Sequence, residues 1–179
     1  MIKLNLGCGW RNFGPDWIHI DGGDYPHLDS KDIINLPYKD NSIDIIYSSH
    51  TLEYFDRVEV INVLNTWHRK LKPGGVLRLA VPNFHILSKL YTSGQITLSQ
   101  VLGPLYGKMK MGDETIYHKT TYDYLSLESL LLDCNFTNIK EYKWEETEHL
   151  NLDDFSQSYI PHMDKENGVL ISLNVEAIK

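Results

Sequence analysis

Two linked segments near the amino terminus constrain this chain most: Lys3-Leu4-Asn5-Leu6-Gly7-Cys8-Gly9 and Trp17-Ile18-His19-Ile20-Asp21. The apolar alternation of Ile2, Leu4 and Leu6 predicts a buried strand, and Gly-Cys-Gly ends it at a turn where backbone must come close to something. A second apolar run then closes on an acid. In a doubly wound sheet, ligands bind outside the carboxyl ends of the strands, and an acid ending the second strand is placed to accept hydrogen bonds from a ribose. The pattern predicts a nucleoside across Gly7, Gly9 and Asp21. A Gly-x-Gly turn on its own also reads as a tight connection without a ligand.

Three later stretches add specificity by their order: Asp32-Ile33-Ile34-Asn35-Leu36-Pro37-Tyr38, then Asp40 through Ile43-Asp44-Ile45-Ile46-Tyr47-Ser48-Ser49-His50, then Leu71-Lys72-Pro73-Gly74-Gly75. Together with the first turn they resemble the motif series of class I S-adenosylmethionine-dependent methyltransferases, strongly as far as Pro82-Asn83 and loosely beyond. The chain is particularly similar to a short subset with a Leu-Gly-Cys-Gly turn, a brief loop and a Gly/Pro-x-Trp-x-x-x-Asp strand. The resemblance implies an α/β fold: a Rossmann-like, doubly wound, mostly parallel seven-stranded sheet with an antiparallel last strand, flanked by helices. The link Trp10 to Asp16 is short for a parallel crossover, so the helix after the first strand is expected to be shortened or missing.

By the same resemblance the cofactor is S-adenosyl-L-methionine, held by Gly7, Cys8, Gly9 and Asp21, with Asp32 on the adenine amino group and the Ile33 backbone beside the ring. Ser48 and Ser49 fall beside the sulfonium and the incoming acceptor. His50 reads either as a general base, since a neutral imidazole takes a proton near pH 7, or as a polar cap on a strand end. Arg11 reads as a charge partner for the methionine carboxylate or as a surface arginine. Trp10, Tyr54 and Tyr91 are candidates to face the cation, though packing roles suit all three.

Acids outnumber bases by 24 to 17, for a net charge of −7 without a basic run, which disfavours nucleic acid as a partner. Cys8 and Cys134 offer neither a disulfide framework nor a metal-ligand spacing, and the eight histidines lack a helical pairing, so no metal is assigned. No apolar stretch spans a bilayer and no signal peptide is visible, so no membrane partner and a cytoplasmic location are expected. One domain over residues 1–179 is expected, with a helical and loop insertion at about 85–122.

From Asp56 the pattern turns helical, with Val58, Ile61, Leu64, Trp67 and Leu71 on one face, Asp56 as N-cap and Glu59 in the capping-box position. Val76 to Val81 follows as the fifth strand. In the insertion, Ile86, Leu87, Leu90 and Tyr91 predict one short helix and Val101, Leu102, Leu105 and Tyr106 another, while residues 108–114 read as a mobile loop. Tyr106, Tyr117 and His118, the last a candidate catalytic group with His50, are expected acceptor contacts. Ser126 is expected to cap a helix from Leu127 to Cys134, followed by strands at Asn138 to Trp144 and Val169 to Ile178.

The sequence thus supports methyl transfer to a small-molecule or glycan-type acceptor. Its rival is a methyltransferase-like binding or regulatory domain without turnover, favoured by the missing helix. A nicotinamide-dependent oxidoreductase is opposed by Asn12, which stands where Gly-x-Gly-x-x-Gly needs its third glycine. A chain without its own amino-terminal lid is also expected to borrow cover from a neighbour, as a homodimer.

Overall fold

The computed structural model describes residues 1–179. In chain order its elements are β1 (Lys3–Leu6), β2 (Ile18–Ile20), β3 (Ile43–Ser49), α1 (Glu59–Lys70), β4 (Leu71–Pro82), α2 (Phe84–Thr92), α3 (Leu98–Tyr106), β5 (Met109–Met111), β6 (Glu114–Ile116), α4 (Tyr124–Asp133), β7 (Thr137–Glu141), β8 (Tyr159–Ile160), β9 (Val169–Leu170) and β10 (Ser172–Ile178). Six strands form the central sheet in the order β2-β1-β3-β4-β10-β7. The first four are parallel, and β10 is inserted antiparallel to both β4 and β7. The sheet has six strands rather than the seven expected. The segment at Asp29 to Ile34 makes only a single bridge, Ile20 to Ser30, because the Asp32 carboxylate takes the Ile34 and Asn35 amides and turns the chain before it can extend.

Residues 8–17 contain no helix, as their number requires. The chain crosses instead through a turn in which the Arg11 amide donates to the Cys8 carbonyl (3.2 Å) and another in which Trp17 donates to Gly14 (3.2 Å). The consequence is a sheet with unlike faces. One buries Leu4, Leu6, Ile46, Leu77, Leu79 and Val175 under Val60, Val63, Leu64 and Trp67 of α1 and Leu127 and Leu131 of α4. On the other, Tyr47 packs with Phe13 and Trp17 from the short link and with Leu152 from the long connection before β8, beside the buried polar residues Asn5, His19, Asp154 and Asn174.

The face of α1 differs from the one expected. Val60, Val63, Leu64 and Trp67 are buried while Val58 is 73% and Ile61 42% exposed, because the apolar residues at 58, 60, 61 and 63 permit either rotation and only one packs on the sheet. Its capping box forms as read: Asp56 Oδ1 accepts from the Val58 and Glu59 amides, and Glu59 returns a bond to the Asp56 amide. In α4 the cap is Asp123, not Ser126; the two exchange side-chain-to-backbone bonds of 2.9 and 3.0 Å. Asn135, at φ +65°, stops that helix as expected.

The segment read as a mobile loop is a β-hairpin, β5 to β6, with Met111 paired to Glu114 across a Gly112-Asp113 turn in which Gly112 has φ +61°. The two late strands are shorter than expected. Val169–Leu170 turns aside to pair with Tyr159–Ile160 before Ser172 enters the sheet. No helix is long and apolar enough to cross a membrane.

Candidate active site

A cleft of ≈ 1410 Å³ opens at the carboxyl ends of the parallel strands, lined at one end by Gly7, Gly9, Asp21, Gly22, Asp32 and Ile33 and at the other by Ser49, His50, Thr51, Tyr54, Tyr117 and His118. The sheet order brings these together, since β2, β1 and β3 are neighbours and end in step. At the first end the backbone does most of the shaping. Gly7 has φ +71°, and a Cβ there would overlap the Thr51 side chain, so the turn needs glycine on two counts. Gly9 has φ +58° with nothing within 4 Å of where a Cβ would lie, which leaves open space for a ligand.

Asp21 is 5% exposed and is held by that turn: its Oδ2 accepts from the Gly9 amide (2.8 Å) and its Oδ1 from the Gly23 amide (2.7 Å). Each oxygen keeps a further lone pair. The Asp32 carboxylate closes its own loop, with Oδ1 on the Ile34 and Asn35 amides and Oδ2 on the Asn35 side chain (2.9 Å); these bonds, Asn35 first, hold its pKa below the ordinary value. The loop is pinned to α1 by Trp67, whose indole N–H donates to the Ile33 carbonyl (2.8 Å). Arg11 lines the cleft between the rings of Trp10 and Phe155, 4.9 and 4.4 Å from their centroids. Its Nε donates to the Asp153 carbonyl (2.9 Å), and its two terminal nitrogens have no protein partner.

Two expected contacts face elsewhere. Cys8 is buried, its Sγ 3.8 Å from His27 Nε2, and burial pushes its thiol up to about 12; the Ser48 hydroxyl donates to the Leu6 carbonyl inside the sheet (3.0 Å). Neither lines the main cleft. Ser49 does, with a buried hydroxyl that no protein group satisfies. Of the aromatic candidates, Trp10, Tyr54 and Tyr117 reach the cleft, whereas Tyr91 and Tyr106 do not.

At the other end His50 and His118, far apart in the chain, converge on a residue that sequence reading passed over. Glu53 is 0% exposed, and its Oε1 lies 3.5 Å from His50 Nδ1 and 3.7 Å from His118 Nε2. Burial drives the Glu53 carboxyl up to about 8 and the His50 imidazole down to about 3, assisted by His118 and Arg11; burial also lowers His118. The available signal was an acid three residues after His50 among apolar neighbours. Above the cleft, Met111 of the hairpin packs against Gly22, where any added Cβ would fall 2.8 Å from its Sδ.

Comparison with known proteins bears on the fold. A family model described as a methyltransferase domain matches residues 20–79. Over 99% of this chain the fold matches a SAM-dependent methyltransferase from Archaeoglobus fulgidus, at a TM-score of 0.61, 18% identity and 85% of that chain. The fold is that of the class I S-adenosylmethionine-dependent methyltransferases. A second such methyltransferase, from Mesorhizobium loti, matches at a TM-score of 0.55 and 17% identity over 99% of this chain and 90% of the other. The 1,6-didemethyltoxoflavin-N1-methyltransferase of Burkholderia thailandensis, solved with 1,6-didemethyltoxoflavin and S-adenosylhomocysteine, matches at 0.58 and 13% over 99% and 70%. No curated protein sequence matches. In this methyltransferase frame, the family match begins at Ile20 and ends in β4, so it covers Asp21, the Asp32 loop and the His50 turn.

Proposed function

We propose that this protein is an S-adenosylmethionine-dependent methyltransferase acting on a small-molecule or glycan-type acceptor. One observation carries the reading: a single cleft joins an end lined by Gly9, Asp21 and Ile33 to a polar end at Ser49, His50 and His118. The residues present suit the cofactor. Gly9 leaves room, Asp21 has lone pairs to spare for ribose hydroxyls, and the guanidinium of Arg11, pre-oriented by two rings, matches a carboxylate. The bound cofactor supplies a methyl group on a sulfonium, open to in-line displacement by a nucleophilic O, N or S.

The chain's own contribution is placement and exclusion of water. Gly7, Gly9 and Asp21 fix the nucleoside, Asp32 and Ile33 border the base, and Ser49 offers a hydroxyl toward the reacting end. Cys8 and Ser48 support the turn and the strand rather than the ligand. Met109 and Met111 roof the cleft. His50 and His118 border the acceptor. The net charge of −7 favours a small acceptor over nucleic acid, and two buried free cysteines suit a cytoplasmic setting.

Incubation with methyl-labelled S-adenosylmethionine and a panel of hydroxyl, amine and thiol acceptors tests this. Acceptor-dependent label transfer is expected. Cofactor binding with no transfer to any class would instead support a binding or regulatory domain, the reading favoured by the helix-free segment after Gly9.

A further inference from the structure

Glu53 is the charged side chain whose placement the proposed reaction does not yet explain. It sits in a 3-10 turn, Leu52–Tyr54, fixed through its own carbonyl, which accepts from the Lys119 amide (2.8 Å). Both carboxyl oxygens are buried and without a partner. An unpaired buried carboxylate is strongly unfavourable, so its surroundings must be asked for a donor.

The neighbouring hydrogen bonds answer. The Pro104 carbonyl only accepts, so His118 Nδ1, 3.0 Å away, carries a hydrogen, and in the neutral ring that burial favours His118 Nε2 presents a lone pair to Glu53. The Ser156 carbonyl likewise fixes the Asn174 side chain, taking its Nδ2 at 2.8 Å. Asn174 Oδ1 is then left to accept the Ser172 hydroxyl (2.9 Å). With its hydrogen committed, Ser172 Oγ accepts from His50 Nε2 (3.3 Å), so His50 Nδ1 also presents a lone pair to Glu53. Three acceptors therefore converge, and they repel unless one carries a proton.

We propose that Glu53 is a positioning residue of the acceptor end, its protonated carboxyl supplying the donor that holds His50 and His118 against the cleft as neutral rings. All four imidazole nitrogens are then directed at protein groups. The electrostatics of burial agree, raising Glu53 to about 8 while lowering His50 and His118. The other ionisable groups facing this cluster are the Tyr54 and Tyr122 phenols, both raised by burial and by Glu53, and Arg11, which acts on His50. None of them places a donor within hydrogen-bond distance of the Glu53 carboxyl. As Glu53 ionises, the three acceptors lose their donor and the rings lose their anchor.

The place of the proton is independent of the methyltransferase reading; only its effect on turnover rests on that reading, so the two fail separately. The test is a long-range 1H–15N imidazole spectrum of the full chain, assigned residue by residue, from pH 6 to 10. His50 is expected as the Nε2–H and His118 as the Nδ1–H tautomer at pH 7, both neutral, with a shared inflection near the Glu53 value of about 8 that Glu53→Gln removes. A cationic ring or the opposite tautomer at pH 7, or no inflection between pH 7 and 9, overturns the proposal, and the unsubstituted protein alone decides this if Glu53→Gln does not fold. In turnover, activity falls about tenfold per pH unit above that inflection, whereas Glu53→Gln, whose amide N–H replaces the donor, stays flat; equal pH profiles contradict the positioning role.

Discussion

Asp21 and Glu53 stand at opposite ends of one cleft and are buried to a similar degree, at 5% and 0% exposure, yet the chain provides for them in opposite ways. Asp21 receives two backbone amides from the glycine turns on either side of it. The Glu53 carboxyl is offered no backbone amide from another residue and faces two imidazole nitrogens. At the Asp21 end the donors are fixed in the backbone by the glycine turns. The acceptor end is held by one proton and is therefore sensitive to pH. A buried carboxyl is thus described by its donors, not by its exposure.

The largest way to break the comparison is at the backbone end. Gly7→Ala places a Cβ on Thr51 at a left-handed φ and is expected to cost roughly 2–5 kcal/mol, a fall of ~5–15 °C in the thermal midpoint. Thr51→Gly combined with Gly7→Ala should recover the part due to overlap and leave the part due to φ.

Next comes pH. Glu53 is raised from 4.5 to about 8, so its contribution is fully present below 4.5 and lost as pH rises to 8. His50 is lowered from 6.5 to about 3, so its contribution is present above 6.5 and lost as pH falls. The two offset between 4.5 and 6.5. Denaturant unfolding should therefore show stability falling by about 2 kcal/mol between pH 6.5 and 8, a decline absent in Glu53→Gln.

Asp21→Asn directs an amide donor at the Gly9 or Gly23 N–H. A loss of roughly 1–2 kcal/mol in urea unfolding at pH 7 is expected. The smallest effect belongs to Asp32→Ala, which removes bonds within an exposed loop. Less than about 1 kcal/mol is expected, and a larger loss would mean that the Asx turn organises the cleft wall.

The strand-turn-acid geometry around Gly7, Gly9 and Asp21 was legible in the sequence because its signals are local. Leu4 and Leu6 alternate into Gly7, and Ile18 and Ile20 run into Asp21, so strand, turn and acid are each written in neighbouring residues. The expected count of seven strands was one too high because Asp32 folds its carboxylate onto the Ile34 and Asn35 amides, an Asx turn that depends on one side chain. The hairpin was legible in hindsight: Met109 and Met111 alternate with Lys108 and Lys110 before Gly112-Asp113. The acceptor end could not be read in this way. His118 meets Glu53 only because the segment after β6 is bonded back to the Leu52–Tyr54 turn, and no periodicity encodes that contact.

Every role proposed for the cleft depends on the Asp21 end binding an adenosyl ligand. Isothermal titration of S-adenosylhomocysteine into the folded protein and into Asp21→Ala at pH 7 tests it directly. One site per chain is predicted for the unsubstituted protein, weakened roughly tenfold or more in Asp21→Ala. Absence of binding by folded, unsubstituted protein, or equal affinity in the two proteins, would contradict it.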